Sequence, residues 1–431
     1  MQKTSPFHST LWLSLEKLLS MALVLFTTLI LARYLTPTLF GQLNYLIALV
    51  SLLAPFAAMG LNAIVTRELV QQPEKKNEIL GSALTLRLCG ALLSTLLAVL
   101  LSYLFVDDAL QGVFIVLLLA NVFTAFLVFD YWLQAHVANQ YAAKARFSIL
   151  CLITLARLAA VYFEASFSIF VYLAALELTF TGLIFIVIYC VKGDRLSQLS
   201  FSWCYAKHLL SQSWWLMLSG IAAIVYLKID QVMLGQLSTH EQVGIYAVAA
   251  RLSEVWYFFP VALVSSYFPK LLHSKKQSQQ QYQANLQKLN DCLYCLALII
   301  AIVIMFIGKP IVILLFGEEY QASALVLQIH IWAGVFIFMR ALLSKWILAE
   351  NLVRFSLITQ LIGAVLNIIA NGLLIPTYGA IGAAVATVLS YAAASYFALF
   401  LHTKTWPMAK VMSYSFLLPL RVLCKGKHLY T

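Results

Sequence analysis

LQGVFIVLLLANVFTAFLVF, residues 110–129, is a run of twenty residues without a single charge. At about 1.5 Å per residue a helix of that length spans roughly 30 Å, the hydrocarbon thickness of a bilayer. Working outward, the same kind of run recurs along the chain. Apolar segments lie at approximately 11–33, 40–66, 79–105, 110–134, 147–163, 167–191, 209–236, 242–267, 289–307, 321–349, 355–374 and 379–402, which makes twelve spans. The spans are expected to be helices, because backbone groups in lipid have to pair within the segment and no barrel-type alternation is present.

Composition supports this reading. The 431 residues are 62% hydrophobic and 10% charged, with a mean hydropathy of +0.89. A soluble domain carries about 25% charged residues. The chain is too apolar for a soluble enzyme and too rich in aliphatic and aromatic side chains for disorder. The first apolar run, Leu11 to Leu31, is long enough to stay as a span rather than be cleaved as a signal peptide.

The net charge of +11 would suggest nucleic acid in a soluble protein. Here the bilayer explains it, since Lys and Arg collect in cytoplasmic loops. With the N-terminus inside, cytoplasmic segments hold nineteen basic residues, and the outward ones hold only Arg33 and Lys309. Both termini are therefore expected to be cytoplasmic, with no nucleic-acid partner. The polar stretches 192–208 and 268–288 both fall inside, the second reading as a solvated connector. No outward loop is large enough for a catalytic domain. The seven cysteines lie mostly in apolar runs, and the Cys292–Cys295 pair has neither a second pair nor a nearby His. They read as structural thiols, so no metal is expected. No H-E-x-x-H, G-x-S-x-G or Walker-type signature occurs, and no cofactor is expected.

Two echoes suggest a duplication. Leu35-Thr36 with Gly41 and Tyr45 resembles Leu237-Ser238 with Gly244 and Tyr246, and Trp132-Leu133-Gln134-Ala135 resembles Trp346-Ile347-Leu348-Ala349. The expected organisation is a six-helix lobe at 1–196, a cytoplasmic linker at 197–208, a second lobe at 209–402 and a cytoplasmic or interfacial tail at 403–431. Both lobes enter from the same side, so the repeats would be parallel, an arrangement that places a substrate site between halves.

Seven basic and five acidic residues fall within the spans. Each charge costs about 2.5–3.5 kcal/mol at the centre of a lipid-facing helix even on a lenient scale. Lys17, Glu16 and Lys345 lie close enough to a cytoplasmic end to snorkel. Arg87, Arg157, Lys228, Arg251 and Arg340 are the candidates for a cationic, ligand-facing path. Asp230 and Glu254 lie at neighbouring depths to Lys228 and Arg251 and are candidate ion-pair or coupling groups. His330 could carry a coupling proton or simply pack.

Several motifs resemble one family. Ala32-Arg33-Tyr34-Leu35-Thr36-Pro37 with Phe40-Gly41, Gly60-Leu61 with Val65-Thr66-Arg67-Glu68, Asp230-Gln231-Val232-Met233-Leu234-Gly235 with Gly244-Ile245-Tyr246 and Ala249-Ala250-Arg251, and Gly379-Ala380-Ile381-Gly382-Ala383-Ala384 resemble the Wzx-like polysaccharide flippases. These form a branch of the multidrug/oligosaccharidyl-lipid/polysaccharide exporter superfamily. The resemblance implies an all-α, MATE-like fold of two six-helix lobes around a central cavity in the bacterial inner membrane. It also implies transfer of an undecaprenyl-pyrophosphate-linked oligosaccharide between leaflets, with H+ or Na+ as the coupling ion. Membrane lipids, a polysaccharide polymerase and a chain-length regulator would be its surroundings. A MATE-type drug antiporter shares the fold but favours an acidic cavity. A peptidoglycan-precursor flippase usually carries two extra helices, for which 403–431 is too short. A membrane enzyme such as a polymerase or acyltransferase is the reading from another class.

Overall fold

A computed structural model describes residues 6–192, 195–350, 352–418 and 421, with side chains from 16 onward except at 353 and 354. Lys3, the Arg354 side chain, Lys425 and Lys427, all counted in the loop charges, lie outside the described residues.

The described residues are helical almost throughout. The helices are α1 (Pro6–Tyr34), α2 (Pro37–Gln71), α3 (Lys76–Phe105), α4 (Asp108–Ala135), α5 (Asn139–Tyr162), α6 (Phe167–Val191), α7 (Trp203–Leu237), α8 (His240–Gln277), α9 (Gln279–Phe316) and α10 (Ala322–Ala349). A last long stretch, Val353–Ser395, is broken at Gly379, giving α11 (353–378) and α12 (380–395). A short α13 (Trp406–Phe416) follows. Among the described residues eleven stretches are long and apolar enough to cross a membrane, and the break at Gly379 divides the last of them in two.

The termini of several helices differ from the hydropathy reading. The stretch 268–288 is not a connector: α8 runs to Gln277 and α9 starts at Gln279, with only Ser278 between. Lys and Gln are good helix formers, so the helices continue past the point where hydropathy drops. Likewise α5 begins at Asn139, eight residues before the apolar run.

The breaks follow local chemistry. Thr36 and Thr239 cap α2 and α8, each side chain accepting from the amide three residues on, Leu39 and Gln242. Gly379 adopts φ 53°, a left-handed value natural to glycine. A side chain there would meet Gln242 Oε1 at 2.6 Å. That oxygen instead accepts from the Ala380 amide at 2.9 Å, which supplies a partner for the first turn of α12.

By its contacts the chain divides into two compact units, Met1–Val232 and Met233–Thr431. The division falls late in α7, beyond the 197–208 segment named from sequence. The order of straight and broken helices recurs between the units. In the first, α2 breaks at Met59–Gly60 and α4 through a 3-10 stretch, Val122–Leu127. In the second, α8 breaks through Val255–Tyr257 and α10 at Ile331–Trp332. Trp132 and Trp346, the echoed tryptophans, are each buried near the end of α4 and α10.

In the first unit α1 packs on α5, α2 on α3, and α4 and α5 on α6. Outward faces remain apolar: Leu93 and Leu104 on α3 are 68% and 74% exposed. Such a stripe would be intolerable in water and is ordinary against lipid tails. This is an all-α, multi-pass membrane protein.

Helix α6 approaches the 3-10 stretch of α4 at Gly182, where a Cβ would fall inside the van der Waals shell of the Phe123 carbonyl oxygen. Gly182→Leu is expected to lower folded yield and thermal midpoint by the equivalent of about 1–3 kcal/mol or more. Gly112→Ala, whose methyl meets nothing within 4 Å, leaves both unchanged. Fluorescence-detected gel filtration at stepped temperatures checks the pair, and equal behaviour would contradict the close approach.

Candidate functional site

The intramembrane charges fall into two groups. Arg87 is 3% exposed; it donates to the Tyr131 hydroxyl and, at 2.6 Å, to the Thr124 carbonyl. Thr124 sits in the 3-10 stretch that interrupts α4, where the regular i→i−4 ladder is lost. Arg340 on α10 donates at 3.0 Å to the Ala394 carbonyl, at the end of α12, and at 3.4 Å to Thr359 Oγ1 of α11. Both guanidiniums serve backbone carbonyls beside a helix break or end. These hydrogen bonds lie inside their own units.

Arg157 is also engaged. Its Nη2 donates to Glu177 Oε2 at 2.8 Å, joining α5 to α6. Arg157 lies in the last two turns of α5. The pair lines a pocket of about 330 Å³ within the first unit, together with Ser51, Asn121, Thr124 and Thr181 among apolar side chains. Arg87 and Gly182 fix the 3-10 stretch that forms one wall. The signal for the pair was present in sequence as opposite charges on consecutive helices, yet spacing alone did not say which acid Arg157 would meet.

Lys228 on α7 and Arg251 on α8 are each half-buried, as is Glu254. Among the described residues neither cation has a hydrogen-bond or ion-pair partner. Arg251 falls in the last turn before the break in α8, where a cation complements the helix dipole. Asp230 is 2% exposed. His330, 4% exposed, packs its ring edgewise on Tyr246 at 5.7 Å, and the Tyr246 hydroxyl bonds Thr387 Oγ1 at 3.0 Å.

Sequence reasoning missed a second charged cluster. Glu68, 3% exposed, accepts from Arg67 at 2.8 Å and from the Tyr205 hydroxyl at 3.1 Å. It ties the end of α2 to the start of α7. Nearby, the Ser200 amide donates to Asn77 O and the Ser202 amide to Ser82 Oγ, so the segment before α7 is strapped to α3.

Removing one member of the Arg157–Glu177 pair leaves a partly buried charge without its partner, which costs more than removing both. Glu177→Ala is therefore expected to lower the thermal midpoint by several degrees, and Arg157→Ala/Glu177→Ala by less. A double-mutant cycle on purified protein checks this, and additive losses would contradict the pairing.

Comparison with known proteins agrees with this architecture. The chain is similar to the lipid II flippase MurJ in an inward closed conformation: TM-score 0.73, 14% identity, 97% of this chain and 93% of that one. It is also similar to an inward-facing multidrug resistance MATE family transporter of the MOP superfamily: TM-score 0.70, 13% identity, 95% and 96% covered. At these identities the likeness shows the fold alone. A probable low-salt glycan biosynthesis flippase, Agl15 of Haloferax volcanii, is 29% identical over 190 residues, 43% of this chain. The match spans only 40% of that curated relative's length. The family described as polysaccharide biosynthesis protein matches residues 7–275, more than half of the sequence, and the chain belongs to that family.

Proposed function

We propose that the protein is a flippase that moves an undecaprenyl-pyrophosphate-linked oligosaccharide, an O-antigen or other surface polysaccharide repeat unit, from the cytoplasmic to the periplasmic leaflet. It works by alternating access in the bacterial inner membrane, with both termini cytoplasmic and an H+ or Na+ gradient as the drive. Its two six-helix halves are residues 1–196 and 209–402. A polysaccharide polymerase and a chain-length regulator are the candidate partners downstream.

The observation that carries the reading is the state of Lys228 and Arg251. Arg87, Arg157 and Arg340 have internal partners, whereas these two cations are half-buried in apolar helices without one. An uncompensated cation is costly in hydrocarbon and tolerable beside water or an anion. A pyrophosphate supplies the anion, and charge-assisted hydrogen bonds are strong in low dielectric. Asp230, Glu254 and His330 stay in the proposal as pairing or coupling groups. A MATE-type antiporter would share the fold. Against it, the acid in the first unit's pocket is held by Arg157 rather than open to a cationic substrate.

Arg251→Ala is expected to lower glycan display roughly tenfold or more, the worth of one charge-assisted hydrogen bond, with the protein still folded and inserted. Arg251→Lys recovers part of the loss if charge outweighs fork geometry. The measurement is display on cells lacking the native flippase, normalised to membrane protein. Full display by both Arg251→Ala and Lys228→Ala would remove these residues from the mechanism.

A further inference from the structure

Between the first turns of α9 and α13 the second unit contains a cavity of about 720 Å³. The two helices run the same way: Gln287 donates to Val411 O at 3.1 Å and, a turn later, Asn290 to Ser415 Oγ at 2.7 Å. Their positive dipole ends therefore lie together at the cavity. Ser278 caps α9, but no side chain caps the first turn of α13, because Thr405 Oγ1 donates instead to Leu399 O and His402 O.

The charges lining this space leave a surplus. Glu350 is held by Lys275 at 2.7 Å and by the Tyr282 hydroxyl at 3.2 Å. Asp291, next to it, accepts from Ser415 at 2.6 Å, Gln287 at 2.7 Å and Arg421 at 3.4 Å. Lys404 and Lys410 line the cavity, are exposed, and have no acid partner among the described residues. Two uncompensated lysines and two helix N-termini converge on one polar cavity, which is the chemistry of a phosphate site.

We propose that this cavity binds the phosphate of an anionic phospholipid headgroup, with α13 lying in the membrane interface. The lipid source is favoured by the rim. One face of α13 is buried through Met408, Met412 and Ser415, while Trp406 and Tyr414 on the other are about half exposed, beside exposed Leu401 and Leu417. Apolar and aromatic groups around a basic polar pocket suit the headgroup level of a bilayer, where Trp and Tyr are enriched. A soluble phosphate compound makes no use of that rim. The proposal requires only that the second unit lies in a membrane and does not depend on the transported substrate.

The test is titration of the full-length protein in detergent with phosphatidylglycerol and with phosphatidylcholine, bound lipid being read by native mass spectrometry. The first phosphatidylglycerol is expected to bind in preference. Lys404→Gln/Lys410→Gln should weaken it about tenfold or more, as two basic groups near an anionic headgroup imply. Lys404→Arg/Lys410→Arg should retain it. Lys410→Glu, a single exposed change that touches no buried contact, should also lose the preference. Lys75→Gln/Lys207→Gln, the same charge change on exposed residues of the first unit, should leave it intact. An unchanged preference in the Lys404/Lys410 variants, or an equal loss in the Lys75/Lys207 control, overturns the site. Saturable binding of inorganic pyrophosphate that depends on Lys404 and Lys410, without any lipid preference, overturns the lipid assignment.

Discussion

A backbone carbonyl released by a broken helix in hydrocarbon has no water to bond with, and leaving it unpaired costs several kcal/mol. The helices of this protein break repeatedly, and each break needs a partner group. Arg87 reaches the Thr124 carbonyl in the 3-10 stretch of α4, and Arg340 reaches the Ala394 carbonyl near the end of α12. Gln242 does the converse for an orphan amide at Ala380. Polar side chains that hydropathy counts as intrusions are what allow the bends, and the bends shape the pocket wall beside Arg157 and Glu177.

That use of arginine sorts the intramembrane charges. Arg87 and Arg340 complete the backbone, Arg157 and Asp130 each enter an ion pair across neighbouring helices, and a remainder has no hydrogen-bond or ion-pair partner among the described residues. Lys228 and Arg251 belong to that remainder, with Glu254 and with Lys345, which lies over the Phe268 ring at 5.6 Å; a function in moving an anionic lipid-linked glycan is best sought at the first two. The surplus of lysine around α13 follows the same reasoning at the membrane surface: acids nearby are already matched, so the unmatched cations point to a ligand.

Much of the fold was legible because the bilayer restricts the solutions so severely. Span number and helical character follow from run length and breaks, and the echoed Trp132 and Trp346 are each buried near a helix end. What hydropathy could not see were the polar ends of α8 and α9, 268–277 and 279–288, helical by propensity and anchored by the buried Leu271, Tyr282 and Leu286. Nor could it see α13, a short helix that packs on α9 with Met408 and Met412 buried. The site was legible only as a set of charged residues. Arg87 and Lys228 look alike in sequence, and only the breaks in the helices decide which one is occupied by a carbonyl.

The most direct measurement is the rate at which a charged, membrane-impermeant maleimide labels single cysteines at 228 and 251, in a background lacking the seven native cysteines. Leu93→Cys on the lipid face serves as the reference. If these positions face a hydrated ligand path, Lys228→Cys and Arg251→Cys react readily, lipid-linked glycan slows them, and Leu93→Cys stays inert. Inert cysteines at both 228 and 251, with or without the glycan, would contradict the account.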